Sequence, residues 1–253
     1  MFERELAFAN TLADRAADMA MGYFGGGFEV HTKPDSTPVT EADLAVEAMI
    51  RERLAAEFPD DAVLGEEHGL VGSGPRVWVV DPIDGTKNFA ARIPIWGTLL
   101  ALLVEDEPVV GVVGAPAIGE RYSAAAGHGA TWNGERIHVS DRASLAESLV
   151  SFGSIGEWRS GPKAAGFDAL TSGAARTRGF GDFWGHALVA RGAVDVMLER
   201  ELRTWDWAAL VTVVREAGGA ITQLDGGPLA DHGSVITTNG ALHEQVLGLL
   251  APP

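Results

Sequence analysis

The chain has 253 residues, 46% of them hydrophobic and 21% charged, which is enough for a large buried core and excludes a disordered protein. It contains no cysteine, so disulfides, thiolate zinc sites, iron–sulfur clusters and a cysteine nucleophile are excluded, and any metal must be held by oxygen or imidazole. Its 35 acids against 19 lysines and arginines give a formal charge of −16, which argues against nucleic acid and against an anionic membrane surface as partners. An anionic substrate would need local positive charge, which a bound cation can supply where acids cluster. No run approaches the length of a membrane span, and the N-terminus lacks a basic segment followed by an apolar core, so a cytoplasmic protein is expected.

Residues 3–23 read as an amphipathic helix, with Leu6, Ala9, Leu12, Ala13, Ala16 and Ala20 at helical spacing, and Gly25-Gly26-Gly27 breaks it. Residues 30–40 carry two prolines and no period, which predicts an exposed loop around Lys33. Thr40-Glu41-Ala42-Asp43 then reads as a capping-box start to a helix reaching about Phe58. A short strand from Ala62 ends in Gly65-Glu66-Glu67, and Gly69 through Gly74 read as a flexible loop.

The apolar strand Val77–Val80 stops at Asp81-Pro82-Ile83-Asp84-Gly85-Thr86. Taken alone this is a surface turn, since Asp, Pro and Gly are common turn residues. It also lets the Asp81 and Asp84 carboxylates converge, with the Ile83 carbonyl as a third hard oxygen, on a divalent cation such as Mg²⁺. Gly85-Thr86 opens a short helix whose free N–H groups suit an anion, so metal and phosphate would share one turn. Strands are expected over Thr98–Val104, Val109–Ala115 and Glu120–Ala124, with a hairpin signal at Asn133-Gly134.

The pattern divides the chain into an N-terminal α+β half, 1–140, and a C-terminal α/β half, 141–253. The second half begins with strand Leu149–Phe152. Arg178-Gly179-Phe180-Gly181-Asp182 leads into a helix over about Phe183–Arg191 and a strand Val194–Leu198, followed by Glu199 and Glu201. Trp205-Asp206-Trp207 opens an apolar helix that ends at Gly219, and Asp206 alone would pass for a cap. Strands Ala220–Gln223 and Val235–Thr238 and a helix over Ala241–Leu250 close the chain.

Four stretches together, the Lys33–Asp43 loop, Gly65-Glu66-Glu67, Trp78 through Thr86 and Trp205-Asp206, resemble in content and order the motifs of the inositol monophosphatase superfamily of metal-dependent phosphatases. The resemblance implies an α+β fold, the layered α-β-α-β-α sandwich shared with fructose-1,6-bisphosphatase, and an enzyme that uses two to three Mg²⁺ ions on a small phosphate ester. It implies Glu66, Asp81 and the Ile83 carbonyl at one metal and Asp81, Asp84 and Asp206 at the second, with the second half completing the metal site and the substrate pocket. Thr86 with Asp43 would deprotonate the attacking water, Glu66 would serve a third, weaker metal, and Lys33, Gly85 and Thr86 would hold the phosphate. A homodimer is the family's habit.

The spelling of the Lys33 loop, with Arg178-Gly179-Phe180-Gly181-Asp182 and Glu199 through Asp206, looks like the histidinol-phosphate phosphatase branch. Arg178, Asp182, Glu199 and Glu201 would then face the substrate's alcohol part, and acids there suit a cationic amine or imidazole. His186 departs from that branch. The alternative substrates are inositol 1-phosphate and, further off, fructose 1,6-bisphosphate or an adenosine bisphosphate. A non-catalytic sensor on the same fold is disfavoured because every catalytic position in the motifs is filled.

Overall fold

A computed structural model describes residues 1–27, 29–32 and 38–251. The first part of the chain forms α1 (Glu3–Gly25), β1 (Val30–Thr32), β2 (Pro38–Thr40), α2 (Glu41–Glu57), β3 (Ala62–Gly65), β4 (Gly69–Val71), β5 (Arg76–Asp84) and α3 (Thr86–Ala90). A meander follows: β6 (Gly97–Val104), β7 (Glu107–Ala115), β8 (Glu120–Ala125), β9 (Gly129–Trp132) and β10 (Glu135–Arg136). The remainder forms β11 (Leu149–Phe152), α4 (Ile155–Ser160), α5 (Ala164–Gly173), β12 (Arg176–Arg178), α6 (Asp182–Ala190), β13 (Val196–Leu202), α7 (Thr204–Glu216), β14 (Ala220–Gln223), β15 (Gly233–Thr238) and α8 (His243–Leu250). Among the described residues no helix is long and apolar enough to cross a membrane.

These elements make two compact units. The first comprises Met1–Glu135 with Trp205–Val213 from α7, and the second Arg136–Thr204 with the chain from Val214 onward. In the first, an eight-stranded sheet runs in the order β10-β9-β8-β7-β6-β5-β3-β4. Its meander is antiparallel, as the short connections require, while β3 lies parallel to β5 because the β3–β4 hairpin returns the chain to the end where β3 began and β5 starts there. The apolar stripes of α1 (Leu12, Ala16, Ala20) and α2 (Val46, Ile50, Leu54) share one core with Trp78, Val80, Leu100 and Val112. Asp61 fixes the start of β5, accepting from Trp78 Nε1 at 3.0 Å and Arg76 Nε at 2.8 Å.

The second unit holds a five-stranded mixed sheet, β12-β11-β13-β15-β14, with β11 parallel to both its neighbours. Trp158 and Phe167 stack at 5.5 Å in a core with Val150, Leu198, Ile236 and Val246.

Several expectations change. The first helix continues to Gly25, and its final turn closes only when the Gly26 N–H bonds to the Gly22 and Tyr23 carbonyls. The expected loops at 30–40 and 69–74 contain strands β1, β2 and β4. Most relevant to function, β5 does not stop at Asp81. It pairs with β6 through Asp84, but Asp81 faces Leu99 and Asp84 faces Gly97, so three steps on β5 match two on β6. The acids therefore sit on a bulge within the strand, not in a turn beyond it. Pro82 has no N–H for the ladder, and its carbonyl accepts instead from Thr98 Oγ1 at 2.8 Å.

Candidate active site

Five elements of the first unit supply the site. At the start of α2, Thr40 and Asp43 form a capping box: Asp43 Oδ2 accepts from the Thr40 N–H at 2.8 Å and from the Thr40 hydroxyl, while Thr40 Oγ1 accepts from the Ala42 N–H at 3.2 Å. One carboxylate oxygen is thereby locked, and the other, Oδ1, stands 3.3 Å from the Thr86 hydroxyl. Asp43 is fully buried. Burial, partly offset by the bonds from Thr40 and reinforced by the nearby Glu66 charge, raises its carboxyl to about 6.

Thr86 is the first residue of α3. The turn into it depends on Gly85, whose φ is +81°, and a Cβ there would stand 3.1 Å from the Ile95 carbonyl. The same hydroxyl that approaches Asp43 lies 3.0 Å from the Ile83 carbonyl.

The β5 bulge presents Asp81 and Asp84, and α7 brings Asp206 in its first turn, where an acid also complements the helix dipole. One carboxylate oxygen from each of Asp81, Asp84 and Asp206 lies within 4.8 Å of the others. The helix can come this close because position 111 on β7 is glycine: a Cβ there would lie 2.2 Å from the Ala209 carbonyl oxygen. Glu66 sits in the β3–β4 turn, its N–H bonded to the Val80 carbonyl at 3.2 Å.

Whether these residues suit a metal can be judged from Asp81. It is 1% exposed, and its Oδ1 is buried without a hydrogen-bond partner among the described residues. Its carboxyl is pushed well above the usual range, first by burial and then by the charges of Glu66, Asp84, Asp206 and Asp43. A buried, orphaned carboxylate oxygen facing four further acids is costly unless a proton or a cation neutralises it. All the donors are hard oxygens, which fits Mg²⁺ and disfavours softer ions.

Lys33, expected at the phosphate, lies outside the described residues. The candidates for the substrate's alcohol part all fall in the second unit. Arg178 is exposed on β12 and donates to its neighbour, the Thr177 carbonyl, at 2.7 Å. Asp182 and Glu199 are brought together: the Asp182 N–H donates to Glu199 Oε2 at 3.1 Å, and Asp182 takes a left-handed φ of 56°. Glu199 is 9% exposed and occupies the space a side chain at Gly153 would need, since a Cβ there would lie 1.7 Å from Glu199 Oε1. Glu201 is exposed with a φ of 59°. His186 is interior. Its Nδ1 pairs with Thr237 Oγ1 at 2.7 Å, and burial lowers its pKa to about 3, so the ring is neutral.

The sequence reading passed over Glu47 and Arg51, which bind the turn carrying Glu66. Their i, i+4 spacing looks like an ordinary solvated pair. The available signal was Glu47 standing one turn after Asp43, on the same helix face.

A family profile described as the inositol monophosphatase family matches residues 2–251. The chain belongs to the inositol monophosphatase family. Among similar proteins, a histidinol-phosphatase of Mycobacterium tuberculosis is 46% identical, with 98% of this chain and 98% of that protein aligned. One of Streptomyces coelicolor is 44% identical over 97% of this chain and 96% of that protein. A solved structure of inositol monophosphatase from Anabaena (Nostoc) superposes with a TM-score of 0.87 at 33% identity, covering 99% of this chain and 98% of that one. The α+β fold is thus that of the inositol monophosphatases, and the chain is a phosphatase, a phosphoric monoester hydrolase. Family members are metal-dependent, and the Asp81–Asp84–Asp206 cluster is one that can hold a metal.

Proposed function

We propose that this enzyme hydrolyses histidinol phosphate to histidinol and phosphate with two to three Mg²⁺ ions, acting as a cytoplasmic homodimer. The observation that carries the substrate choice is the near full-length similarity to the two histidinol-phosphatases. The placement of Glu199, whose carboxylate accepts from the Asp182 N–H, supports it, because carboxylates in a partly desolvated wall gain most from a cationic amine or imidazolium.

Glu66, Asp81 and the Ile83 carbonyl would hold one ion, Asp81, Asp84 and Asp206 the second, and Glu66 a third, weaker one. Bound Mg²⁺ supplies a lowered pKa for the attacking water and charge stabilisation for the leaving oxygen. The protein's own groups do the rest. The Gly85 and Thr86 N–H groups, with Lys33, hold and orient the phosphate. Thr86 accepts a hydrogen bond from the attacking water and passes its own proton toward Asp43. The water oxygen bonds to phosphorus, the ester P–O bond breaks, and the departing alkoxide takes a proton from a solvent water to become the alcohol, while the proton received by Asp43 returns to solvent. Arg178, Asp182, Glu199 and Glu201 would receive the alcohol part.

Phosphate release from histidinol phosphate, inositol 1-phosphate and glycerol 2-phosphate, with and without Mg²⁺, tests the reading. Histidinol phosphate should give the highest kcat/KM. Asp182→Asn and Glu199→Gln should lower it roughly tenfold or more while largely sparing glycerol 2-phosphate, as loss of a charge-assisted bond requires. A preference for inositol 1-phosphate, or equal loss on both esters, would move the assignment to inositol phosphates.

A further inference from the structure

Glu47 is a buried acid that neither the metal site nor the proton relay uses. Its side chain is fully buried, and it accepts four hydrogen bonds: from Arg51 Nε at 2.7 Å, the Glu67 N–H at 2.7 Å, the His68 N–H at 3.1 Å and His68 Nδ1 at 3.0 Å. Arg51 extends the grip, donating to the Val63 carbonyl at 3.3 Å and to the Gly69 carbonyl. The two N–H groups that Glu47 holds are those directly after Glu66, and the Glu66 N–H itself is held by the Val80 carbonyl, one residue before Asp81. Both flanks of Glu66 are therefore pinned.

The local sequence is shaped to let this happen. Glycine at position 65 leaves the pair its place, because a Cβ there would lie 2.3 Å from Glu47 Oε1 and 2.8 Å from the Arg51 guanidinium and would displace them. Glu47 also follows Asp43 by one helical turn. Burying an ion pair seldom gains net stability over an apolar pair of similar size, so Glu47–Arg51 is an expensive way merely to attach a turn. Directional bonds to consecutive N–H groups do what apolar packing cannot: they fix where the next carboxylate points.

We propose that Glu47, braced by Arg51, is a positioning residue that holds Glu66 at the metal centre, so that α2 sets both Asp43 and the metal-binding turn. This rests on the reading of Glu66 as a metal ligand.

Glu47→Gln keeps the side chain's shape but replaces one acceptor oxygen with a donor that must face N–H groups. Mg²⁺ binding, read by calorimetry and by the Mg²⁺-induced rise in Tm, should weaken about tenfold or more, as for other residues that orient metal ligands. Helical content should be retained. Arg51→Lys keeps the charge but cannot serve Glu47, Val63 and Gly69 together, and should weaken Mg²⁺ binding in the same direction even if Glu47→Gln does not fold. A lower metal-free Tm with unchanged Mg²⁺ affinity in the folded variants would overturn the proposal and leave Glu47 a fold element only. Wild-type protein that binds Mg²⁺ but releases no phosphate from any ester would count against the proposed reaction, while the binding comparison would still decide the role of Glu47.

Discussion

A hydroxyl has one proton to give, and the Thr86 hydroxyl has two acceptors in reach, the Ile83 carbonyl at 3.0 Å and Asp43 Oδ1 at 3.3 Å. It can serve only one of them fully. In the proposed metal site the Ile83 carbonyl would be engaged by a cation and so be a poorer acceptor, which would favour the bond to Asp43 and leave a Thr86 lone pair open to a water. In the proposed reaction, Asp43, with its carboxyl lifted to about 6 by burial, would be close enough to neutral pH to serve as the terminal proton acceptor. Thr86→Ala should then lower kcat by about a hundredfold or more with little change in KM, because the lost contact is made chiefly in the transition state. Steady-state kinetics at saturating Mg²⁺ check this. A rise in KM alone would confine Thr86 to holding phosphate.

The elements carrying these residues meet at tolerances that sequence shows only in part. The apolar runs of β6, β7 and β8 were legible because strands buried on both faces read as nearly unbroken apolar segments, and the stripes of α1 and α2 because one buried helix face repeats with a fixed period. So was the acid motif itself. The bulge in β5 was not, because its extra residue exists only relative to β6, a partner 16 residues away at the Pro82–Thr98 contact. Strand β4 escaped notice because Gly69-Leu70-Val71 is largely exposed and bracketed by glycines, which gives no apolar pattern. Glu47 was hidden because a charge inside a helix reads as surface until its burial is seen. Gly111 belongs with these: nothing in Val-Val-Gly-Val-Val signals that a helix backbone rests on it. Gly111→Ala would press a methyl group into the Ala209 carbonyl, an atom of the backbone that cannot rotate away. The expected cost is about 1–3 kcal/mol, as for other overpacked sites. Because α7 carries Asp206, the variant should also need more Mg²⁺ for half-maximal activity. Urea unfolding and a Mg²⁺ titration measure the two effects, and a stability loss without a metal effect would show that α7 yields away from its first turn.

Across the whole molecule, two sets of buried titratable side chains push the pH dependence of stability in opposite directions. The chain carries a formal charge of −16, and Asp43 and Asp81 have carboxyls raised above their unfolded values. For those acids the folded state binds protons more readily than the unfolded state, so in metal-free protein their contribution improves as pH falls toward their unfolded pKa. His186 does the reverse. Its folded pKa is about 3 against an ordinary 6.5, the shift coming from burial between Thr237 and the interior of the second unit. Its contribution is fully present above pH 6.5. As pH drops below that value the unfolded chain takes up a proton that the folded ring refuses, at a cost of about 1.4 kcal/mol per pH unit until the folded pKa is reached. Replacing the ring by a non-titrating amide in His186→Gln removes this term, whatever the substitution costs at neutral pH. Between pH 7 and pH 5 the wild type should therefore lose about 2 kcal/mol of stability relative to the variant, read as the difference of two differences in urea unfolding. Parallel pH profiles for the two proteins would mean that His186 accepts a proton within the folded unit, and that its Nε2, which has no hydrogen-bond partner among the described residues, finds an acceptor when it does.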